Sequence, residues 1–185
     1  MRLDLFCVVE GQGDQRAVPV LLRRIGSALV PALELAIPTP FRVPRHKLVK
    51  PGEVERVVDF AARKIRRPGA ALILIDADDD CPAKLGPTIL ARARQARPDL
   101  PVSVVLANRE FEAWFLAAFT SLSGRHGLEK VLPSFATPET IKNAKRPIEE
   151  HMLRRVYSET IDQPALTAQF DMDLARRVSP SFDKC

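Results

Sequence analysis

The stretch Ala70-Ala71-Leu72-Ile73-Leu74-Ile75-Asp76-Ala77-Asp78-Asp79-Asp80 joins a run of apolar, β-prone residues to an acidic cluster. A continuous apolar run of this length is typical of a strand that is buried on both faces of a sheet. In a parallel sheet, ligands bind beyond the carboxyl ends of the strands. The stretch therefore predicts a central strand with a functional site directly after it.

The pattern on either side of this strand is an alternation of strands and helices. Apolar runs predict further strands at residues 3–9, within 33–43 and at 102–107, and helical spacing predicts helices at 15–29, 51–66 and 82–96. Strands that alternate with helices at this spacing form parallel sheets, because each helix carries the chain back across the sheet. We therefore expect an α/β fold: a doubly wound, mainly parallel four-stranded sheet flanked by helices.

The rest of the chain has a different character. Residues 110–119 predict an aromatic-rich helix, residues 121–138 a loop, and residues 138–156 and 164–178 two further helices. The last stretch, residues 179–185, reads as the start of an element that the chain does not finish. A length of 185 residues suits a single domain, so we expect an α/β core over 1–120 with a helical C-terminal extension, 121–185, packed on it.

Composition excludes some classes of protein. No apolar run approaches the ~20 residues that a membrane-spanning helix needs. Asp4 interrupts the apolar N-terminus, which predicts a first strand and not a signal peptide. Three widely spaced cysteines, Cys7, Cys81 and Cys185, indicate a reducing, cytoplasmic location. A net charge of +5 permits contact with nucleic acid but does not demand it.

Three carboxylates are expected to converge at the edge of the sheet. Glu10 follows the first predicted strand, and Asp76 and Asp78 follow the third. If these strands are neighbours, all three side chains face one crevice, and Asp76 and Asp78 share a face if the segment is extended. Close carboxylates repel one another unless a cation lies among them, and Mg²⁺ prefers such oxygen ligands. The pattern therefore predicts a site for Mg²⁺ or Mn²⁺.

Plainer interpretations stand beside this one. An acidic turn after a strand is often a solvated loop, and Asp79 and Asp80 fit that role or caps of the following helix. Gly11 and Gly13 resemble an anion-binding turn, but the third glycine of a dinucleotide fingerprint and the lysine of a phosphate loop do not follow. Cys81 is a soft ligand among hard oxygen donors, which makes it a poor candidate.

Several stretches together resemble a known family of bacterial proteins. They are Val9-Glu10-Gly11, Ala17-Val18-Pro19, Ile75-Asp76-Ala77-Asp78-Asp79-Asp80, Glu110-Phe111-Glu112-Ala113-Trp114-Phe115-Leu116 and Ser181-Phe182-Asp183. Their order and spacing resemble the family catalogued as DUF4276. The strand ending in Glu-Gly and the later strand ending in Asp-x-Asp also look like the Toprim fold, the catalytic domain of topoisomerases, primases and overcoming-lysogenization-defect (OLD) nucleases.

The Toprim resemblance implies roles for individual residues. Glu10, Asp76 and Asp78 match the family's metal-binding carboxylates, and Asp14 stands where related nucleases often have a further acidic residue. Glu110 and Glu112 follow the fourth predicted strand, and the resemblance favours Glu112 as a ligand of a second ion. Trp114, Phe115 and Leu116 fit core packing better than base stacking.

A nuclease that uses two ions also benefits from a cation near the scissile phosphate. Lys142 and Lys145 are candidates, and a solvated helix face is the plain alternative for each. We take Lys145 as the catalytic candidate, together with Glu10, Asp76, Asp78 and Glu112.

Three functions are compatible with these residues. The first is a Mg²⁺-dependent, Toprim-like nuclease that acts on nucleic acid, for which the resemblance implies a partner ATPase and a setting in phage defence. The second is a metal- and phosphate-binding regulatory or adaptor subunit without cleavage of its own. The third is a phosphotransfer receiver-like domain, which would need an acidic pair after the first strand, where this chain has Glu10 alone with Asp14 beyond the glycines.

Overall fold

A parallel sheet forms the centre of the protein in the computed structural model, which describes residues 2–66, 68–153 and 155–185. The strands are β1 (Arg2–Val9), β2 (Glu34–Ala36), β3 (Phe41–Arg42), β4 (Gly69–Asp76) and β5 (Val102–Ala107). Their order is β2-β1-β4-β5, and β3 also pairs with β1. Every pairing among these five strands is parallel, and β1 lies beside β4 with Val8 opposite Ile73. The expected fold class and the expected neighbouring of these two strands are confirmed.

The strand predicted within 33–43 is divided into two short strands, β2 and β3. β2 pairs with the start of β1, where Arg2 lies opposite Glu34, and β3 pairs with its end, where Val8 lies opposite Phe41. Pro38 and Pro40 lie between them. Because proline has no N–H to donate to the ladder, the edge of the sheet is interrupted there.

Helices cover both faces of the sheet. They are α1 (Gln12–Leu29), α2 (Arg45–Leu48), α3 (Glu53–Lys64), α4 (Pro82–Ala96), α5 (Glu112–Ala117), α6 (Lys145–Glu150), α7 (Glu159–Thr167), α8 (Met172–Val178) and α9 (Pro180–Asp183). Leu72 and Leu74 of β4 belong to a core shared with α1, α5 and the C-terminal helices, whereas Ile73 and Ile75 belong to a core shared with α3 and α4. Alternate residues of this strand thus point to opposite faces, and both faces are buried.

The C-terminal part differs from the sequence-based expectation. The helix predicted over 138–156 was wrong: a 3-10 turn at Pro138–Thr140 and the short helix α6 stand there, with Asn143 between them at a positive φ of 54°. The helix predicted over 164–178 is divided into α7 and α8, because the side chain of Asp171 accepts a hydrogen bond from the Leu174 amide and starts a new helix.

Two further differences concern the aromatic helix and the end of the chain. The predicted helix 110–119 is the shorter α5 followed by a 3-10 turn at Phe119–Leu122. Trp114, Phe115 and Leu116 are fully buried, which confirms their expected packing role. The last stretch forms α9, in which Phe182 is buried against Trp114 and Phe170.

Within the described ranges, no helix combines the length and the apolar character that crossing a bilayer requires.

Candidate functional site

A cleft of about 400 Å³ opens at the carboxyl edge of the sheet. Each of the six residues taken as candidates from the sequence lines it, and they come from strand ends, helix starts and the C-terminal part. The lining residues are Glu10, Gly11, Asp14, Asp76, Asp78, Glu110, Glu112, Asn143, Lys145, Glu159 and Gln163. The cleft is therefore strongly acidic, with Lys145 as the cation among its lining residues.

Asp76 is the last residue of β4 and the centre of the acidic set. Its Oδ1 accepts a hydrogen bond of 2.9 Å from the Phe111 backbone amide. Burial raises the pKa of Asp76 well above its usual value, and the charges of Asp14, Glu112 and Glu10 raise it further. Four carboxyl groups are thus close enough to disfavour each other's ionisation.

Glu10 follows β1 and has an unsatisfied oxygen. Burial raises the pKa of its carboxyl group, as do Asp78 and Asp14, while the backbone amide and the guanidinium of Arg45 lower it. Its Oε2 is buried without a hydrogen-bond partner, and Arg45 Nε is the other such side-chain atom in the part of the chain that the structure describes. A buried acceptor without a donor is costly, which makes this oxygen available to a cation.

Asp14 is held firmly in the first turn of α1. Its Oδ2 accepts a hydrogen bond of 2.8 Å from the Gly11 amide, and its Oδ1 accepts one of 2.8 Å from Gln163 Nε2 of α7. Gly13 permits this contact, because a Cβ there would lie 1.9 Å from Gln163 Oε1 and 3.0 Å from the Glu159 carbonyl oxygen. Gly13 thus serves the close approach of α7 to α1, a role that differs from an anion-binding turn.

Glu112 begins α5 with a side chain only 2% exposed. Tyr157 donates its hydroxyl to Glu112 Oε1 at 3.0 Å. Burial raises the pKa of Glu112 to about 7, although Lys145 acts in the opposite direction. Burial alone would lower the pKa of Lys145, but Glu112 and Glu159 raise it overall, and its Nζ lies 2.5 Å from Glu159 Oε1. Lys145 is therefore a permanently charged partner of the acidic set.

The structure separates the roles of the two glutamates after β5. Glu110 accepts hydrogen bonds from the Asn143 amide at 2.9 Å and from the Ala144 amide at 3.0 Å. These amides lead into α6, so the Glu110 carboxylate caps that helix. Glu112 is instead turned toward Lys145 and Tyr157, and its role as an ion ligand stays a prediction.

The expected common face of Asp76 and Asp78 is wrong. β4 ends at Asp76, and Asp78 has a positive φ of 51°, so the segment between them is a turn and not an extended strand. The Asp78 side chain is 56% exposed and lies 3.4 Å from Arg45 Nη1. Asp78 lines the cleft from its rim, while Asp76 lies inside it.

The two following aspartates are ion-paired and are not helix caps. Asp79 Oδ1 lies 2.9 Å from Arg109 Nη1 and 3.4 Å from Lys142 Nζ, and Asp80 contacts Arg45. The N-cap of α4 is Cys81, which makes no side-chain capping bond. Cys81 lines a separate cleft of about 380 Å³ with Asn108 and Glu139.

Three site residues have no signal in the local sequence pattern: Tyr157, Glu159 and Gln163. Tyr157 lies just before α7, and Glu159 and Gln163 lie in its first turns. In this order they contact Glu112, Lys145 and Asp14. Gln163 and Asp14 are 149 positions apart, and no periodicity or motif predicts such a contact. The packing of α7 on α1 creates it.

The carboxylates fit a hard divalent cation in chemistry but are not spaced as a finished metal site. In residues 2–66, 68–153 and 155–185, no group of three or more histidine, cysteine, aspartate or glutamate side chains is arranged to hold an ion. The fit rests on the unsatisfied Glu10 Oε2 and on the mutual repulsion around Asp76. A hard cation, which prefers oxygen ligands, would relieve both.

Comparison with known proteins identifies the family. The profile described as Domain of unknown function (DUF4276) matches residues 9–184, and the chain belongs to that family. No curated protein and no solved structure matches the chain significantly.

Proposed function

We propose that the protein is a Toprim-like phosphodiesterase that cleaves nucleic acid with the help of Mg²⁺ or Mn²⁺. The observation that carries the proposal is the convergence of Glu10, Asp76 and Glu112 at the carboxyl edge of the sheet, each with a raised pKa. Carboxylates this close together repel one another unless a cation lies among them. Perturbed titration in a cleft is characteristic of functional sites.

The residues divide into ion-binding groups and supporting groups. Glu10, Asp76 and Glu112 would hold the ion, with Asp78 joining from the rim, while Asp14 is fixed by two hydrogen bonds and supports the site from behind. A bound Mg²⁺ would neutralise these carboxylates and stabilise the charge that develops on a phosphate. Lys145, held beside Glu112 and Glu159, supplies a cation to orient the scissile phosphate.

The cellular setting belongs to the same proposal. Toprim nucleases of the OLD type act with an ATPase, and the resemblance to them suggests a partner ATPase, a role in phage defence and a cytoplasmic location. These suggestions rest on the resemblance alone.

Asp76→Asn tests the proposal. Wild-type protein is incubated with plasmid DNA, single-stranded DNA and RNA, with MgCl₂, with MnCl₂ or with EDTA. We expect cleavage that depends on the metal, and a loss of at least about 100-fold in Asp76→Asn, because even residues that support metal ligands change activity by ~10–100-fold. Asp173→Asn, at an exposed position in the first turn of α8, is the matched control and should cleave normally.

A second candidate is a metal- and phosphate-binding subunit that does not cleave. Two observations favour it. Asp78 is paired with Arg45 at the rim, and the carboxylates among the described residues are not arranged around a common ion position. Mn²⁺ binding followed by electron paramagnetic resonance separates the two. Binding that Asp76→Asn abolishes, without cleavage of any substrate, supports the second candidate, and the absence of both binding and cleavage contradicts both.

A further inference from the structure

Three cations from separate segments meet on one acidic turn beside the cleft. Arg45 begins α2, Arg109 follows β5, and Lys142 precedes α6. Arg45 contacts Asp78 and Asp80, while Arg109 and Lys142 both contact Asp79. We call Arg45, Arg109 and Lys142 the basic rim, and residues 78–80 the acidic turn. The turn is also anchored through its backbone, since the Asp78 amide donates to the Arg109 carbonyl oxygen at 3.0 Å.

The acidic partners are poorly placed to stabilise the fold. The side chains of Asp78, Asp79 and Asp80 are 56%, 80% and 58% exposed. Ion pairs this exposed contribute little to stability, because water screens the charges and two long side chains must be ordered. The turn therefore holds the basic rim weakly, and another anion of suitable geometry could replace it.

Arg45 is the rim residue that most needs a further partner. Its side chain is only 15% exposed, and its Nε is buried without a hydrogen-bond partner, although its terminal nitrogens face the acidic turn. A guanidinium group presents its N–H donors in a fork that matches two oxygens of a carboxylate or of a phosphate. The carboxylates of the turn thus stand where phosphate oxygens would bind.

We propose that the basic rim binds the phosphodiester backbone of nucleic acid and that the acidic turn occupies the rim until the backbone displaces it. This inference rests on the proposed function, because it assigns the residues that hold the substrate of that cleft. The displacement has a second consequence. Asp78 lines the same cleft as Glu10, and its release from Arg45 would free its carboxylate for the ion-binding set.

The test measures DNA binding without cleavage. Binding of short fluorescein-labelled single-stranded and duplex DNA to the full chain is followed by fluorescence anisotropy in EDTA over a series of salt concentrations. Asp79→Asn should bind about threefold more tightly than wild type, because it frees Arg109 and Lys142 from an exposed pair. Arg109→Gln should bind more weakly, and the slope of log affinity against log salt should fall by about 0.7–0.9 for one lost phosphate contact.

Asp59→Asn is the matched control. It removes one negative charge and two ion pairs, as Asp79→Asn does, since Asp59 Oδ1 lies 3.2 Å from Arg97 Nη1 and its other oxygen contacts Arg63. Arg97 precedes β5, so this pair lies toward the amino edge of the sheet, away from the cleft. Asp59→Asn should leave DNA binding nearly unchanged.

The outcomes separate this inference from the proposed function. Equal effects of Asp79→Asn and Asp59→Asn would show a general charge effect and overturn the role of the acidic turn. An unchanged affinity in Arg109→Gln, or no DNA binding by wild type and Asp79→Asn alike, would overturn the basic rim. Cleavage plays no part in the measurement, so a rim that binds DNA in a protein that never cleaves contradicts the nuclease proposal alone.

Discussion

At the scale of single residues, the acidic side chains in the cleft and beside it differ in how their charge is balanced. Asp78 and Asp79 lie at the surface with arginine or lysine partners. Asp76 and Glu112 have raised pKa values because burial and neighbouring carboxylates disfavour their charged forms. Asp78 and Asp79 can exchange their basic partners for another anion, whereas Asp76 and Glu112, inside the cleft, are suited to bind a cation.

Glu112 gives the protein a pH dependence that can be measured. Burial raises its pKa from 4.5 to about 7, so the unfolded chain releases this proton at lower pH than the folded protein does. The contribution of Glu112 to stability is therefore complete below about pH 4.5 and is lost as the pH rises through about 7. The loss amounts to ~3 kcal/mol at ~1.4 kcal/mol for each unit of pKa.

Glu112→Gln should remove this loss, since glutamine stays neutral and its amide oxygen can still accept the hydrogen bond of Tyr157. In EDTA, we expect the free energy of unfolding in urea to fall more steeply with pH for wild type than for Glu112→Gln. Asp76, Glu10 and Asp14 also have raised pKa values and act in the same direction, but they are present in both proteins. Identical pH profiles for the two proteins would contradict the assigned pKa.

At the scale of elements, the short helix α6 depends on a side chain from another part of the chain. Glu110 caps the two amides that lead into it, and Lys145 is its first residue. Glu110→Ala should therefore lower the free energy of unfolding by about 1 kcal/mol, as the loss of a cap commonly does. Urea unfolding measures this cost, and metal-dependent cleavage by the folded variant should persist. Glu112→Gln is the comparison: at neutral pH it should raise the free energy of unfolding and lose metal-dependent cleavage. A Glu110→Ala variant that is as stable as wild type would contradict the capping role.

The same contrast between local and distant causes explains what the sequence could predict. The apolar runs of β1, β4 and β5 predict those strands and hence the position of Glu10 and Asp76 at their ends, because burial on a sheet leaves a local pattern. The region around α6 could not be predicted in this way. The start of α6 depends on the contact between the Glu110 carboxylate and the Asn143 amide and on the positive φ of Asn143. Both features depend on tertiary structure and leave no local pattern in the sequence.

At the scale of the whole molecule, the C-terminal helices complete the core that the sheet begins. Residues of β1, β4 and β5 share one hydrophobic cluster with Phe170 and Phe182. Trp114 Nε1 donates a hydrogen bond of 2.8 Å to Ser181 Oγ, which ties α9 to α5. The cleft is also built from both parts, since Lys145 and Gln163 face carboxylates that follow the strands. Folding of the C-terminal part and assembly of the site are therefore coupled.

Phe182→Ala tests this coupling. Phe182 is 3% exposed and packs edge-on against Trp114 and Phe170, so its truncation leaves a cavity that should cost about 3–5 kcal/mol. The chain has one tryptophan, so the fluorescence of Trp114 reports on this contact while circular dichroism reports on the sheet and helices. If the chain folds as one unit, both signals change at the same, lower urea concentration in Phe182→Ala. Val131→Ala, at a position 83% exposed, should unfold like wild type. A fluorescence transition that precedes the loss of secondary structure would instead show that the C-terminal part unfolds separately from the sheet.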